Sequence, residues 1–425
     1  MTSPLNDGGR RKDTACLSHS STRPASRRGQ RPDRTDGDAA SSRCSWPCWS
    51  SPSERSAFGA ARLTSQLTTV ELPGSGGTDP APIRGYAGAF DVLLVGSDGR
   101  AGQGAQYGEG GTITGARNDV TLLLHVNATH DVATLVSFPR DLLIDFPACT
   151  APNGATVPAA TGVAFGSGLG RGGLGCVATA VQSLTGTPIR YAAEISFQGV
   201  IDLSTVLGGV PVCFTGPIDD PRSGLVIPSA GTFELSGEQA LALLRSRHGV
   251  GDGSDLARIS SQQVFLSALA RTLRDRATLT DPVRLYAIAD AVSRTMTLST
   301  DLADPGTLTS LATTFAGIPL ETTALVTYPY LPHGNRVVSD REAARQLFAL
   351  IAADTPVHLD PARAGRGATA SATPTPDRTP VRAQPSTTAS PSAAPDPGQA
   401  TASTASLPTN LDGQNADRAT CIVPA

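Results

Sequence analysis

Short apolar runs separated by polar, glycine-containing turns occupy residues 85–355, and this pattern predicts one folded domain. The run 90–96 is almost continuously apolar, which is typical of a strand that is buried on both faces. Residues 120–126 and 133–138 form two further apolar runs. The turn-forming residues 127–131 lie between these two runs and predict a hairpin.

In the rest of this domain, apolar residues recur mainly with helical spacing. The predicted helices cover residues 174–184, 197–207, 236–248, 255–277, 282–296, 305–316 and 340–353. Strands are predicted at 210–214 and 324–328, and a glycine-rich loop is predicted at 148–172. Because strands and helices alternate along the chain, we expect one layered α/β domain.

The composition changes on both sides of the domain. Residues 1–60 are rich in arginine and serine and are predicted to be a disordered tail. Residues 61–84 are predicted to be an extended lead-in followed by a linker rich in glycine and proline. Residues 356–425 are rich in alanine, threonine, proline and serine. Because such a segment buries little apolar surface, we predict a second disordered tail there.

The sequence shows no run of about 18 apolar residues that would cross a membrane, and residues 1–56 lack the apolar core of a secretory signal. The formal net charge of −3 argues against a general nucleic-acid-binding protein, which would be strongly basic. Of the 34 basic residues, 33 are arginine. A genome biased toward arginine codons explains most of this excess, but arginine also suits bidentate contacts with phosphate.

Charged residues lie at the ends of the predicted strands. Asp98 follows the first strand, Arg117 and Asp119 precede the second, and Arg140 follows the third. In α/β sheets, ligands bind beyond the strand ends, where loops converge. Two carboxylates at such a place can bind Mg²⁺ together with waters and phosphate oxygens. Each acid taken alone would more often cap a loop or lie on the surface.

A second group of charged residues surrounds a loop rich in glycine and aspartate. Arg245 and Arg247 end one predicted helix, and Asp255, Arg258 and Gln262 begin the next. Arg245 and Arg247 can face one site only if the helix has unwound between them, whereas Arg258 and Gln262 share a helix face. Solvated helix faces would explain these charges, but several arginines around one loop would repel each other unless an anion neutralised them. A diphosphate is the natural candidate.

Four cysteines lie beyond the first strand. Cys149 and Cys176 flank the glycine-rich loop and are predicted to form a disulfide if the compartment is oxidising. The alternative is that both are small buried apolar residues that never meet. Cys213 is expected to be free, or to be a late partner of Cys421 in the predicted tail.

Seven short motifs occur along the chain in this order: Leu94-Val95-Gly96-Ser97-Asp98, Arg117-Asn118-Asp119, Ser137-Phe138-Pro139-Arg140-Asp141, Leu207-Gly208-Gly209-Val210, Gly237-Glu238-Gln239-Ala240-Leu241, Arg245-Ser246-Arg247-His248 and Asp255-Leu256-Ala257-Arg258-Ile259. Through these motifs, residues 91–270 resemble the LytR-CpsA-Psr family of bacterial cell-envelope proteins, so residues 85–355 would be its catalytic domain. Among the departures from the family pattern, Gly99 and Val120 stand where the family usually has a small hydroxyl residue, and Ser261 replaces a basic residue.

The resemblance implies a three-layer α-β-α domain with a mixed central sheet and an apolar cavity for a prenyl chain, flanked here by the disordered tails. It implies a phosphotransferase that moves a secondary cell-wall glycopolymer from a polyprenyl-diphosphate carrier to peptidoglycan and leaves a phosphodiester link. The expected partners are the polyprenyl-diphosphate-linked glycan donor, the peptidoglycan acceptor and the membrane surface, with no nucleic acid. The expected location is the extracytoplasmic face of the cell membrane or the cell wall.

The same resemblance assigns roles to residues. Asp98 and Asp119 match the magnesium ligands, so Mg²⁺ is the expected cofactor. Phosphoryl transfer needs charge neutralisation and in-line positioning, which Mg²⁺ and arginines supply. The expected catalytic residues are Arg140, Arg245, Arg247 and Asp255. The expected diphosphate-binding residues are Arg117, Arg140, Arg245, Arg247, Arg258 and Gln262.

Two other functions stay open at this point. The same site could hydrolyse a polyprenyl diphosphate with water as the acceptor, or the protein could bind polyprenyl phosphate without turnover. Magnesium-dependent turnover would exclude the second. Members of the family normally carry one membrane helix before the domain, so we expect that the true start of this chain differs or that the anchor is absent.

Overall fold

The computed structural model describes residues 65–73, 88–98, 116–274, 281–357, 359, 363–370 and 411–425. The predicted tail 1–60 lies outside the described residues, as does most of the predicted tail 356–425. Residues 99–115, which follow Asp98, also lie outside the described residues.

The described residues contain short strands throughout. The first ten are β1 Thr68–Val70, β2 Phe90–Ser97, β3 Asn118–Val126, β4 Ala133–Ser137, β5 Leu142–Phe146, β6 Cys149–Thr150, β7 Thr156–Val157, β8 Ala160–Ala164, β9 Tyr191–Ile195 and β10 Val210–Phe214. They are followed by β11 Ile218–Asp220, β12 Leu225–Ile227, β13 Gly231–Leu235, β14 Met296–Ser299, β15 Thr323–Thr327, β16 Tyr330–His333, β17 Arg336–Ser339, β18 Ala368–Ala370, β19 Gly413–Asn415 and β20 Thr420–Ile422.

Helices alternate with these strands, and several begin at a residue whose side chain accepts a backbone N–H of the first turn. Ser196, Asp281, Asp304 and Asp340 are such N-caps. The helices are α1 Gly168–Thr185, α2 Phe197–Val206, α3 Gly237–Arg245, α4 Asp255–Arg274, α5 Pro282–Thr295, α6 Pro305–Gly317 and α7 Arg341–Ala352.

An eight-stranded mixed sheet lies at the centre, in the order β1-β14-β9-β2-β3-β4-β15-β19. β2 pairs antiparallel with β3 and parallel with β9, and β4 pairs parallel with β15. Because side chains alternate along a strand, β2 contributes to two apolar cores. Leu93 and Val95 face one core, while Phe90 and Val92 face the other.

Helices cover both faces of this sheet. On the face of Leu93, α1 and α7 contribute side chains such as Val177 and Leu347. On the opposite face, α6 contributes Leu308 and Leu311. This is the predicted three-layer α-β-α arrangement with a mixed central sheet, which is confirmed.

A smaller four-stranded sheet, in the order β13-β10-β20-β18, packs with α3 and α4 around a separate apolar core. Leu243 of α3 and Phe265 of α4 meet Phe214 of β10 and Ile422 of β20 in this core. The core therefore holds both helices that flank residues 246–254, where the predicted anion site lies.

The predicted hairpin is confirmed, since β3 and β4 pair antiparallel. The predicted loop 148–172 is wrong in detail, because it contains β6, β7 and β8 and the first residues of α1. These strands are two to five residues long and rich in glycine, alanine and threonine, so they show no clear alternation. α1 also has non-helical dihedral angles at Gly172 and Gly173, which broke its apolar periodicity.

The predicted domain boundaries need two corrections. β1 lies in the predicted lead-in and pairs with β14 at the edge of the central sheet. Within the predicted tail 356–425, β19 pairs with β15, and β20 lies between β10 and β18. Ala416 and Ile422 are fully buried, so residues 411–425 belong to the folded domain. Residues 411–425 are a short ordered part of the long polar segment 356–425, so the average composition of that segment did not predict them.

Two disulfides cross-link the described residues. Cys149 pairs with Cys176, as the sequence suggested, with Cα atoms 5.3 Å apart. Cys213 of β10 pairs with Cys421 of β20, with Cα atoms 4.5 Å apart, so the later cysteine is its partner. The second bond links β20 covalently to its neighbour β10 in the smaller sheet. None of the helices in the described part of the chain is both long and apolar enough to cross a bilayer.

Candidate active site

The ends of β2 and β3 bring the two predicted magnesium ligands to one edge of the central sheet. Ser97 pairs with Asn118 at the last register position of the two strands. Beyond it, the Asp98 amide donates to the Arg117 carbonyl at 3.0 Å, and the Arg117 amide donates to Asp98 Oδ1 at 2.5 Å. Asp119 is the second residue of β3, and Asp98 directly follows β2. The two acids therefore lie at adjoining ends of neighbouring strands.

Arg140, between β4 and β5, connects β3 to α4. Its Nη1 contacts Asp119 Oδ1 at 2.5 Å, and its Nε lies 3.1 Å from Asp255 Oδ1. Arg258 Nη2 contacts the same Asp255 oxygen at 2.5 Å and donates to the Asp119 carbonyl at 3.1 Å. Asp119, Arg140, Asp255 and Arg258 thus form a closed set of contacts, which we call the Asp–Arg ring.

The Asp–Arg ring is largely removed from water. The side chains of Arg258 and Asp255 are 3% and 8% exposed, and those of Arg140 and Asp119 are 20% and 21% exposed. Buried charges are costly unless they are paired, and removing one partner leaves another uncompensated. The four side chains therefore hold each other in place.

Arg140 and Arg258 differ in how well their charges are compensated. Burial lowers the pKa of Arg140, but the negative charges of Asp119 and Asp255 outweigh it, so the net shift is upward. Burial also lowers the pKa of Arg258, and there Asp255 does not restore it. The positive charges of Arg140 and Arg247 add to the lowering. An anion beside Arg258 and Arg247 would relieve this repulsion.

Several guanidinium nitrogens of the site make no well-aligned hydrogen bond, although Arg140 Nε lies 3.1 Å from Asp255 Oδ1. The Nε atoms of Arg140, Arg247 and Arg258 are buried and make no hydrogen bond of good geometry within the described part of the chain. A buried donor without an acceptor costs about 1–3 kcal/mol, and a charged one costs more. Phosphate oxygens are the acceptors that would satisfy such donors.

Positive charge exceeds negative charge at this edge of the sheet. The Asp–Arg ring is neutral, with two acids and two arginines. Arg117, Arg245 and Arg247 have no ion-pair partner among the residues that the structure describes. Asp98 adds one negative charge at this edge, so the three arginines leave an excess of two positive charges, which favours a ligand with more than one negative charge.

Arg245, the last residue of α3, borders an apolar cavity. Its guanidinium carbon lies 4.8 Å from the centre of the Phe197 ring, a cation–π contact. Residues from β2, β3, β9, α2 and α3 line this cavity, which measures about 40 Å³: Gly96, Val120, Ile195, Val200, Leu241 and Leu244. The cavity also touches Asp119, so an apolar space opens directly beside the Asp–Arg ring.

The segment between α3 and α4 explains how Arg245 and Arg247 face one site. Ser246 has extended dihedral angles, so the helix ends at Arg245. The fully buried Ser246 donates to Asp220 Oδ2 at 2.7 Å, and Ser223 donates to the same oxygen at 3.0 Å. Burial raises the pKa of Asp220, but these hydrogen bonds lower it overall. The ionised Asp220 thus fastens the residue between the two arginines.

Two residues of the predicted diphosphate-binding set occupy other positions. Gln262 is buried, and its Nε2 donates to the carbonyl of Leu244 at 2.8 Å, so it holds the end of α3 next to Arg245. The side chain of Arg117 is exposed at the rim of the site. Direct contact of Gln262 or Arg117 with a diphosphate stays a prediction.

Two residues that support the site, Asn118 and Gly166, were not predicted from the sequence to do so. Asn118 Nδ2 donates to the Phe165 carbonyl at 3.1 Å, and its Oδ1 accepts from the Leu169 amide at 3.3 Å. The Gly166 amide donates to the Arg140 carbonyl at 2.8 Å. The 3-10 turn Phe165–Ser167 therefore supports both the start of β3 and Arg140. Asn118 lay inside a motif, but no local signal marked Gly166.

The carboxylates at this edge fit one kind of metal ion. Within the described ranges there is no group of three or more His, Cys, Asp or Glu side chains that could hold a metal. Asp98 and Asp119 together offer two carboxylates. Mg²⁺ in phosphate-binding sites takes one or two carboxylates and completes its shell with waters and phosphate oxygens. The pair suits Mg²⁺ and does not suit a structural zinc site, which needs four protein ligands.

A match to one protein-family model identifies the family of this chain. The LytR_cpsA_psr family model matches residues 68–345, which is more than half of the chain. The chain belongs to the LytR_cpsA_psr family. The matched region of this LytR_cpsA_psr protein runs from β1 into α7 and includes every residue of the candidate site.

This LytR_cpsA_psr protein has curated relatives in other bacteria. It is 34% identical over 237 residues to the cell wall biosynthesis protein LcpA of Corynebacterium glutamicum, which covers 50% of this chain and 45% of LcpA. It is 27% identical over 252 residues to TagT of Bacillus subtilis, a polyisoprenyl-teichoic acid–peptidoglycan teichoic acid transferase, which covers 58% of this chain and 70% of TagT. The chain thus spans less than half the length of LcpA.

A solved structure shares the fold of this LytR_cpsA_psr protein. It is the crystal structure of protein gbs0355 from Streptococcus agalactiae, with a TM-score of 0.51 and 20% sequence identity. The superposition covers 66% of this chain and 93% of that chain. At this identity the likeness concerns the α/β fold alone.

Proposed function

We propose that this protein is a phosphotransferase that moves a secondary cell-wall glycopolymer from a polyprenyl-diphosphate carrier to peptidoglycan. The observation that carries the proposal is the Asp–Arg ring beside an apolar cavity, together with the buried Nε atoms of Arg258 and the neighbouring Arg247, which make no hydrogen bond within the described residues. A polyprenyl diphosphate combines the two chemistries, because it joins an anion to an apolar chain. Membership of the family and the likeness to TagT, a transferase of this kind by name, support the proposal.

The charge of the site suits a diphosphate diester, which carries two negative charges at neutral pH. Arg245 borders the cavity that also touches Asp119, the charge of Arg247 acts on Arg258, and Arg258 Nε makes no hydrogen bond within the described residues. Charge-assisted hydrogen bonds from these guanidinium groups would bind both phosphates. Asp255 contacts Arg140 and Arg258 together, so its part is to orient the two guanidinium groups.

The reaction is an in-line displacement at the glycan-linked phosphorus. An acceptor hydroxyl oxygen forms a new P–O bond, and the bond from that phosphorus to the bridging oxygen breaks. The bridging oxygen leaves with its electron pair as polyprenyl phosphate, and the hydroxyl proton ends on that phosphate or in the solvent. Arg245 and Arg247 would neutralise the charge that develops on the bridging oxygen. The prenyl chain would enter the apolar cavity, which at about 40 Å³ requires α2 and α3 to separate.

We include Mg²⁺ in the proposal, held by Asp98 and Asp119. A bound Mg²⁺ would polarise the phosphate oxygens and screen their charge from the incoming hydroxyl. Asp119 also contacts Arg140, so the same carboxylate would connect the metal to the Asp–Arg ring. The ring would then set the position of the metal relative to the arginines.

We also propose that the enzyme works at the extracytoplasmic face of the membrane, where donor lipid and peptidoglycan meet. The two disulfides support this location, because structural disulfides persist in oxidising compartments and are rare in the cytosol. The membrane surface would supply the donor, and the cell wall would supply the acceptor.

The test is reconstitution of the reaction with the full chain. Purified protein, a polyprenyl-diphosphate-linked glycan and peptidoglycan fragments should give linked product and polyprenyl phosphate in equal amounts. The product should disappear in excess chelator and return with added Mg²⁺. Asp98→Asn should lower turnover and raise the Mg²⁺ concentration needed, since an amide is a poorer ligand than a carboxylate.

The outcomes distinguish the competing functions. Release of polyprenyl phosphate without linked product, at an unchanged rate when peptidoglycan is omitted, would show a hydrolase. Tight binding of the lipid without any turnover would show a carrier. Product formation that is unaffected by chelator would remove Mg²⁺ from the proposal and leave the transferase intact.

A further inference from the structure

A polar groove of about 200 Å³ runs along α3 and ends at Arg245. The geometry points to this α3 groove as the site of the acceptor glycan, a neutral saccharide whose hydroxyl attacks the diphosphate, an assignment that rests on the proposed function and adds its acceptor side. The lining of the groove includes Ser223, Gly224, Glu238, Gln239, Ala242 and Arg245.

The walls of the α3 groove are fixed by hydrogen bonds between α3 and the hairpin of β11 and β12. Gln239 Nε2 donates to the Gly224 carbonyl at 3.2 Å, and Gln239 Oε1 accepts from the Val226 amide at 3.3 Å. Asp220, at the start of the same turn, accepts from both Ser223 and Ser246. The turn of the hairpin is therefore tied to α3 on its β12 side and to Ser246, the residue between Arg245 and Arg247, on its β11 side.

The groups inside the groove match the hydroxyls of a neutral sugar. Glu238 is exposed and has no ion pair or hydrogen bond within the described part of the chain, so its carboxylate can accept from sugar hydroxyls. Arg245 donates and Ser223 both donates and accepts. Leu241 and Ala242 line the same groove and offer apolar surface for the C–H face of a sugar ring. A polyanionic chain would be repelled by Glu238.

The position of Arg245 favours the acceptor over the donor as the occupant. Arg245 borders both the apolar cavity and the α3 groove, which lie along adjacent faces of α3. If the prenyl side of the diphosphate lies in the cavity, the groove lies on the other side of the guanidinium group. In an in-line displacement the attacking hydroxyl must approach from the side opposite the leaving group. Of the cavity and the groove that both border Arg245, the α3 groove is the space that the prenyl chain would leave open to the acceptor.

This assignment also gives a role to the motif Gly237-Glu238-Gln239-Ala240-Leu241, which the diphosphate site does not use. Gln239 builds the wall of the groove, Glu238 faces its interior, and Leu241 lies between the groove and the apolar cavity. The motif therefore shapes both sides of Arg245.

Steady-state kinetics of Glu238→Ala on the full chain test the assignment. The KM for a peptidoglycan fragment should rise about tenfold or more, since a hydrogen bond to a charged group is lost. The KM for the lipid-linked donor should stay within about twofold of wild type. Glu238→Gln, which keeps an acceptor oxygen, should recover part of the loss. Glu321→Ala, an exposed glutamate on the 3-10 turn Leu320–Thr322, is the matched control and should change neither constant.

Saturation-transfer NMR on the full chain measures binding of the same peptidoglycan fragment without requiring turnover. Wild type should bind the glycan, and Glu238→Ala should bind it much more weakly. If no variant transfers glycan but this binding difference holds, the proposed function fails and the groove assignment stands. An unchanged acceptor KM, a raised donor KM in Glu238→Ala, or no binding by wild type would overturn the assignment.

Discussion

The amide of Gly166 donates a hydrogen bond of 2.8 Å to the carbonyl oxygen of Arg140, and the two backbones are too close for a side chain between them. A Cβ atom at Gly166 would lie 3.0 Å from Arg140 Cβ and 3.1 Å from its carbonyl oxygen. Neither neighbour is the end of a flexible side chain, so Gly166→Ala should displace Arg140 from Asp119. We expect a loss of stability of about 1–3 kcal/mol and a larger loss of transfer.

Denaturant unfolding and the rate of product formation measure the two effects of Gly166→Ala. The matched control is Gly317→Ala at the end of α6, where a Cβ atom meets nothing within 4 Å. Wild-type stability together with wild-type transfer in Gly166→Ala would show that the turn does not position Arg140.

Arg247→Ala and Arg140→Ala should both stop transfer, yet differ in stability. Each loses a charge-assisted phosphate contact, worth about 2–4 kcal/mol in the transition state. Arg140→Ala also leaves Asp119 and Asp255 partly uncompensated and should destabilise the fold by about 3–5 kcal/mol. Arg247 has no ion-pair partner in the described chain, and its buried Nε makes no hydrogen bond there, so Arg247→Ala should be at least as stable as wild type. Arg294→Ala, at an exposed surface ion pair, is the control.

Transfer rates and denaturant midpoints separate the two arginine variants. Equal stability of Arg140→Ala and Arg247→Ala would show that the Asp–Arg ring contributes nothing to the fold. Full transfer activity in Arg247→Ala would place the anion elsewhere.

Loss of the bond between Cys213 and Cys421 should cost more stability than loss of the bond between Cys149 and Cys176. The first closes a loop over a sequence separation of 208 and the second over 27. The chain-entropy model gives about 5 kcal/mol for the longer loop and about 3–4 kcal/mol for the shorter one. Urea unfolding of Cys421→Ser and Cys149→Ser without reductant measures both. A larger loss in Cys149→Ser would show that the C-terminal strand is held mainly by its hydrogen bonds.

Stability should also depend on His125, which lies on β3 far along the strand from Asp119. Its Nδ1 is 3.1 Å from Asp91, and its Nε2 is 3.5 Å from Asp354. Burial lowers the pKa of His125, but the hydrogen bonds and charges of the two acids outweigh it, so the pKa is raised. The stabilisation of the fold by charged His125 and its two acids is fully present below the unfolded pKa of about 6.5. It is lost as pH rises through the folded pKa.

Denaturant unfolding of wild type and His125→Gln across pH 5.5 to 9 checks this expectation. The free energy of unfolding of wild type should exceed that of His125→Gln most at low pH, and this difference should shrink as pH rises. Transfer activity at a single pH should change little, because His125 is not part of the site. A difference in the free energy of unfolding that does not change with pH would show that the imidazole is not charged in the folded state.

Sequence patterns predicted the parts of the fold whose apolar periodicity is strong. The buried strand 90–96, the hairpin of β3 and β4 and the helices after residue 255 follow from spacing alone, because each buries a long, regular face. β9 and β14 were not predicted, since they are four or five residues long and their pattern is set by neighbours more than 90 residues away. β20 was concealed because two or three buried side chains and a disulfide suffice to hold it.

The candidate site was predictable in its charged residues and not in their supports. Arginines beside strand ends and glycine loops suggest an anion site whatever the tertiary structure, and the motifs gave their order. The roles of Gly166, Asn118 and Asp220 depend on contacts between distant segments, which no local pattern encodes. Gln262 was placed on the correct helix face, but only the structure showed that its amide holds the carbonyl of Leu244.

The loop between Arg247 and Asp255 is completed by residues that are synthesised long after it. The Gly251 amide donates to the Val423 carbonyl at 2.8 Å, and the Ala425 amide donates to the Gly249 carbonyl at 3.2 Å. A nascent chain that has emerged only as far as residue 410 contains every arginine of the site but none of these contacts. The arginine loop can therefore reach its final structure only after residues 423–425 have been synthesised, although every arginine of the site precedes them by more than 150 residues.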